Sequence, residues 1–138
     1  MNAYDERGSM SIEIVLLTPA LVAAIIVIAA GARFVDAREE TSGAAFAAAR
    51  AASLTTNQEA AVAAGTEAAR HAMSHRGQSC ATLDVTIDAH DFAPGGTIRA
   101  TVSCLADLSD LSGFGILPGH KTFTATAAVP LDQHRDFS

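Results

Sequence analysis

Tryptophan is absent from this 138-residue chain, and Lys121 is its only lysine. Aromatic residues make up 5% of the total, too few to build stacking platforms for bases or sugars. The nine Lys and Arg residues are scattered, and the formal charge is −6. Phosphate binding needs clustered cations, so a nucleic-acid partner is excluded. Catalytic signatures are missing too. No G-x-S-x-G, phosphate loop or cysteine-nucleophile context occurs. His71 and His75 are one helical turn apart, a spacing that metal sites use. However, Ala72 follows His71, so H-E-x-x-H fails, and no third ligand is in view. Two solvent-facing histidines are the simpler reading. Asp107, Ser109, Asp110 and Ser112 read as a polar turn, since the EF-hand pattern is absent. No enzyme, metal site, cofactor or small-molecule substrate is expected.

Cysteine is sparse as well: Cys80 and Cys104, with no C-x-x-C. Two readings stand. The simpler, and the one favoured, is a disulfide, if this part of the chain sits in an oxidising compartment. The other is two buried thiols acting as small hydrophobes.

What the chain does have is one long apolar run. Ile14 to Ala32 carries no charge over 19 residues, which as a helix spans about 28 Å, close to a bilayer core. Thr18 and Pro19 interrupt it. Threonine can bond back to its own helix, while proline takes the hydrogen bond away from the Val15 carbonyl, and a kink is expected there. Ala20 and Ala24 have a small-xxx-small spacing that lets helices approach closely. A cleaved secretory signal is the alternative, with Ala30-Gly31-Ala32 as an A-x-A site, but the run exceeds the usual apolar core of about 7–15 residues. Flanking charge is ambiguous about orientation. Arg33 and Arg38 after the run, against Arg7 before it, favour a C-terminal domain inside. The cysteine pair favours that domain outside.

A glutamate, Glu13, stands at the entrance of the run, although carboxylates in lipid are costly and rare. Arg7-Gly8 precedes it. A cut after Gly8 would make Ser9 a new amino terminus and Glu13 the fifth residue of the product. Glycine, lacking a side chain, lets an extended backbone enter a narrow protease site. This resembles the type IV prepilin processing motif. The chain as a whole resembles the TadE-like proteins of tight-adherence (Tad) pilus systems, of the alanine-rich actinobacterial kind. "ERGSMSIEIVLLTPAL", "FVDAREETSGAAFAAARAAS", "FAPGGTIRATVSC" and "PLDQHR" carry the resemblance over nearly the full length. It implies processing at Gly8-Ser9 by a prepilin peptidase, with other pilin-like subunits and an inner-membrane assembly platform as partners. It also implies that Glu13 pairs with a neighbour's amino terminus and so sets helix register. Glu13-Ile14 stands where major pilins have Glu-Tyr, and Asp5 and Glu6 precede Arg7. These departures point to a minor, pseudopilin-like component. The competing expectation is an uncleaved, membrane-tethered extracytoplasmic binding domain.

The expected order is a leader over residues 1–8, a membrane segment over 9–32, an alanine-rich helical stalk over 33–78 and a small sheet domain over 79–138. Alanine is the best helix former, so Arg33 to Leu54 should continue the membrane helix as one rod. Asn57 should cap a second helix from Gln58 to His75, weakened slightly by Gly65 and stopped at Gly77. After Cys80 the period becomes two: Leu83, Val85 and Ile87, then Ile98, Ala100, Val102 and Cys104 across the turn "DFAPGG". Pairing Val85 with Ala100 puts the apolar residues on one face, but leaves Cys80 opposite Leu105, so a bridge to Cys104 needs a bulge or a Cys80 outside the strand. Lys121 to Val129 is a third strand, and Ala106 to His120 a loop. The fold class is α+β. A long N-terminal membrane helix extends outside the bilayer, and a second alanine-rich helix follows. An antiparallel sheet of about three strands packs on both. The expected location is the cell membrane, single-pass, with the C-terminal domain extracytoplasmic; incorporation of the protein in a pilus is a further option.

Overall fold

The structure, a computed structural model, describes residues 6–74, 80–107, 109 and 119–134, with the backbone alone for residues 6–11. It is α+β, as the sequence implies. Helices α1 (Glu6–Ser53) and α2 (Gln58–Ser74) precede strands β1 (Cys80–Asp88), β2 (Thr97–Asp107) and β3 (His120–Pro130). The chain divides between Val35 and Asp36 into two compact units.

In the first unit, α1 is apolar and uncovered. Large side chains from Ile12 to Ile28 all stand exposed, Leu16 at 69% for example. The helix is long and apolar enough to cross a membrane. It stays α-helical through Pro19. The Thr18 hydroxyl donates to the Ile14 carbonyl at 2.7 Å, the back-bond expected of threonine within a helix.

In the second unit, residues 36–53 of α1 present a buried stripe: Ala37, Thr41, Ala44, Ala45, Ala48, Ala49 and Ala52. This is the spacing of one helical face. Thr41 is buried without an exposed donor because its hydroxyl bonds the Ala37 carbonyl at 2.8 Å. After Ser53 the chain turns. Asn57 Oδ1 accepts from the Ala60 amide at 2.8 Å, which makes Asn57 the N-cap of α2. The second helix buries Ala61, Gly65, Ala69 and Met73. The expected stop at Gly77 lies outside the described residues.

The sheet has the order β1-β2-β3, antiparallel throughout. In the central strand Ile98, Ala100, Val102, Cys104 and Ala106 are buried. Phe123, Ala125, Ala127 and Val129 share one side of the third strand, as the alternation predicts, and stand opposite Cys104, Val102, Ala100 and Ile98. This apolar face packs on Ala44, Ala45, Ala48, Ala49, Ala69 and Met73 of the two helices. On the opposite face, hydroxyl pairs Thr101–Thr126 and Ser103–Thr124 bond at 3.0 Å. The turn between β1 and β2 needs its glycines. Gly95 has φ 78°, and a Cβ on Gly96 would run into the Asp91 carbonyl. Gly96 also accepts from the Leu131 amide at 2.8 Å, which ties the end of β3 to this turn.

Two expectations are corrected. The β1–β2 register is displaced by two residues, with Val85 opposite Val102 and Ile87 opposite Ala100. A two-residue slip keeps every side chain on its face, so the alternation could not distinguish the two registers. Gly65 is more than a weak spot in α2. A Cβ there would lie 2.9 Å from Ile87 Cδ1 and 3.1 Å from the Ala48 carbonyl oxygen. Glycine therefore allows α2 to approach α1 and β1 at once, which outweighs its low helix propensity of about 1 kcal/mol. Gly65→Val should lower the stability of the full-length protein in detergent by about 1–3 kcal/mol, the usual range for overpacking. Thermal unfolding followed by circular dichroism measures this, and an unchanged midpoint would contradict the close approach.

Candidate functional site

The residues singled out by the sequence fall in two places. Gly8, Ser9 and Glu13 lie at the start of α1. Gly8 and Ser9 are within its first turns, so a protease that takes an extended chain must first unwind this end. Helical geometry then sets what shares a face. Ser9 and Glu13 are one turn apart, and Leu17, Ala20, Ala24 and Gly31 follow Glu13 on the same side, with Gly31 five full turns on. The acid thus heads a column that is mostly small below Leu17. Glu13 is exposed between Ile12 and Ile14, both also exposed. No ion pair to it occurs among the described residues.

This geometry gives the acid two possible cationic partners after a cut at Gly8. An ammonium on Ser9 would stand one turn from Glu13 of its own chain. It would also sit at the positive end of its own helix dipole, which disfavours it there. A neighbouring chain whose small-residue column packs against this one would offer the same pair across an interface.

Cys80 and Cys104 form the second place. They are disulfide-bonded, with Cα atoms 5.4 Å apart. How two residues so offset come together follows from the register. Leu83 faces Cys104, and an unbroken ladder would set Cys80 opposite Asp107, on the solvent face. A bulge between Cys80 and Thr82 instead pairs Cys80 with Ala106. Ala81 is the extra residue, and both it and Thr82 are exposed. The one-residue insertion turns Cys80 onto the core face beside Cys104. The sequence had left open a bulge or a Cys80 outside the strand, and the bulge is what the chain uses. Cys104 belongs to the core, and Cys80 packs against it.

The remaining candidates stay apart. His71 is exposed on α2, and His75 lies outside the described residues, as do Asp110 and Ser112. Asp107 Oδ1 accepts from the Ser109 amide at 2.8 Å, the turn expected from its sequence. Hydrogen bonds from the Ser109 hydroxyl and backbone, with His120 opposite, hold the Asp107 carboxyl below its usual range. A depressed carboxyl stabilises the fold above its unfolded pKa and loses that contribution as pH falls. Among the described residues no cluster of three His, Cys, Asp or Glu side chains could hold a metal.

Sequence reasoning passed over two features. Phe46 is the one aromatic in the alanine-rich stretch from Asp36 to Ser53, and it is 56% exposed. On α2, Gln58, Glu59, Val62, Ala63, Thr66, Glu67 and Arg70 share an open outer face. The isolated aromatic was visible in the sequence as a break in composition, whereas the outer face depends on how α2 is rotated in the fold. No protein-family model, curated protein or solved structure matches this chain.

Removing the bridge tests its weight. Cys80→Ser with Cys104→Ser should cost about 2–4 kcal/mol of stability in the full chain, through the freed unfolded ensemble. Urea unfolding with and without reductant measures it. Equal midpoints for oxidised, reduced and double-serine protein would show that the bridge is idle.

Proposed function

We propose that this chain is a minor pilin-like (pseudopilin) component of a Tad-type pilus or secretion assembly, acting by helix packing in the membrane. The observation that carries the reading is the column under Glu13. The apolar, uncovered stretch of α1 starts just after one acid, Glu13, and continues on that face with Leu17, Ala20 and Ala24. A charge at this depth needs a partner, and an unpaired one penalises every wrong alignment of neighbouring helices. Glu13 against the Ser9 ammonium of the next subunit satisfies that need and sets register. The partners are other pilin-like subunits and the inner-membrane assembly platform, with a prepilin peptidase cutting at Gly8-Ser9. The disulfide fits an extracytoplasmic location for the sheet, since such bonds persist in oxidising compartments.

A second reading, an uncleaved membrane-tethered extracytoplasmic binding domain, is favoured by one observation. α1 begins at Glu6 and runs through Gly8 and Ser9 without a break, so the same helix serves as a plain anchor with its leader attached.

Mass analysis of the protein from native membranes separates the two. Loss of residues 1–8 supports the processed subunit, while an intact leader supports the anchor. Glu13→Ala should leave membrane insertion and amount of protein unchanged while reducing incorporation into high-mass assemblies, scored by native gel. Unchanged incorporation would remove the registry role.

A further inference from the structure

One stripe of α1 in the second unit faces away from its own core. Glu39, Gly43, Phe46 and Arg50 lie on the side of the helix opposite the buried Thr41, Ala45, Ala48 and Ala52, and all four are exposed. Phe46 is the large apolar member, 56% exposed. Neither Glu39 nor Arg50 takes part in an ion pair among the described residues. A Cβ on Gly43 would meet nothing within 4 Å. Gly65, by contrast, is required by a close approach inside the copy. Glycine within a helix weakens it relative to alanine, and no contact within the copy offsets that loss at Gly43.

The spacing of the stripe is symmetric. Its intervals are four, three and four residues, the same read from either end. Turned end for end about the point between Ala44 and Ala45, the stripe falls on itself. Glu39 then meets Arg50 at one end and Arg50 meets Glu39 at the other, with about 16 Å of helix between the two meetings. Phe46 arrives at the height of Gly43, over the hole bounded by Glu39, Ser42, Gly43 and Phe46. Four residues at this spacing form the hole that receives a knob when helices pack, and the missing side chain of Gly43 opens this one. A parallel alignment at equal height instead sets Glu39 against Glu39 and Arg50 against Arg50. Asp36, one turn before Glu39, adds to the repulsion in that alignment.

We propose that the second units of two copies pair antiparallel along this stripe, with Phe46 of each seated over Gly43 of the other and a Glu39–Arg50 ion pair at each end. The occupant is a second copy because the stripe is its own complement, in charge and in shape, and a two-fold contact needs a surface of that kind. A partner of another kind needs no such symmetry of spacing. The contact is read from the second unit alone and does not rest on the membrane reading. Copies whose α1 helices run side by side in one direction face like charges here, so this pair is separate from packing under Glu13.

The test uses full-length protein purified in detergent, where no bilayer imposes a direction. Sedimentation should show a dimer. Gly43→Leu fills the hole and should leave a monomer, with its circular dichroism spectrum and cooperative unfolding retained, since nothing within the copy is close to that position. Glu39→Arg alone, or Arg50→Glu alone, should weaken dimerisation by about tenfold, as like charges across an interface do. The two substitutions together should restore it, because the swapped ends still meet their opposites. Direction is read by crosslinking. The natural cysteines are bridged to each other, so mild oxidation of separately tagged Glu39→Cys and Arg50→Cys copies should trap the mixed 39–50 dimer. Dominant 39–39 or 50–50 products show a parallel contact and overturn the proposal. A monomeric unsubstituted protein, a dimer that survives Gly43→Leu, a double swap that fails to restore pairing, or a stripe covered only in complex with a different protein overturns it as well.

Discussion

Close approach is the constraint on which the folded unit depends. The residues that α1 and α2 turn inward are almost all alanine, with glycine at the tightest point, Gly65. Such side chains bury little apolar area each, so they stabilise little by transfer alone. Their contribution is distance: they let the helices lie close enough for Ile98, Val102 and Met73 to fill the remaining space between helices and sheet. A single added methyl group is felt in an interior of that kind, because it cannot be taken up by repacking larger neighbours.

A core of that composition needs support at its edges, and the chain supplies it with covalent and backbone devices. The Cys80–Cys104 bridge holds the start of β1 to the far part of β2. It exists because Ala81 is inserted as a bulge, which also twists the end of an edge strand. At the opposite end of the sheet, the Gly96–Leu131 hydrogen bond ties the first turn to the end of the last strand. The hydroxyl pairs between β2 and β3 fasten the solvent face of that strand pair.

Much of this was legible in the sequence, and the residues show where legibility stopped. The Asn57 cap, the apolar alternation of β3 and the single apolar run were read directly, because each is a local pattern with its own period or side-chain chemistry. The β1–β2 register was not, since Val85 opposite Ala100 or opposite Val102 gives the same division of faces. The role of Gly65 was hidden because it depends on Ile87 and Ala48, which are remote in sequence. At the start of α1, the helical phase that joins Glu13 to Ala20 and Ala24 follows from spacing alone once the helix is continuous.

Small residues therefore recur in both units: inside the second they bring helices to a sheet, and in the long apolar helix they follow Glu13 on its face. The most direct test of packing through that column is a cysteine scan of α1 from Ile14 to Ile28 in native membranes, with crosslinking between copies scored at each position. Packing through the Glu13 face predicts yields that rise and fall with a period of about 3.6 residues, highest at Leu17, Ala20 and Ala24, in phase with Glu13. Uniform yields along the helix, or a maximum on the face opposite Glu13, would contradict it.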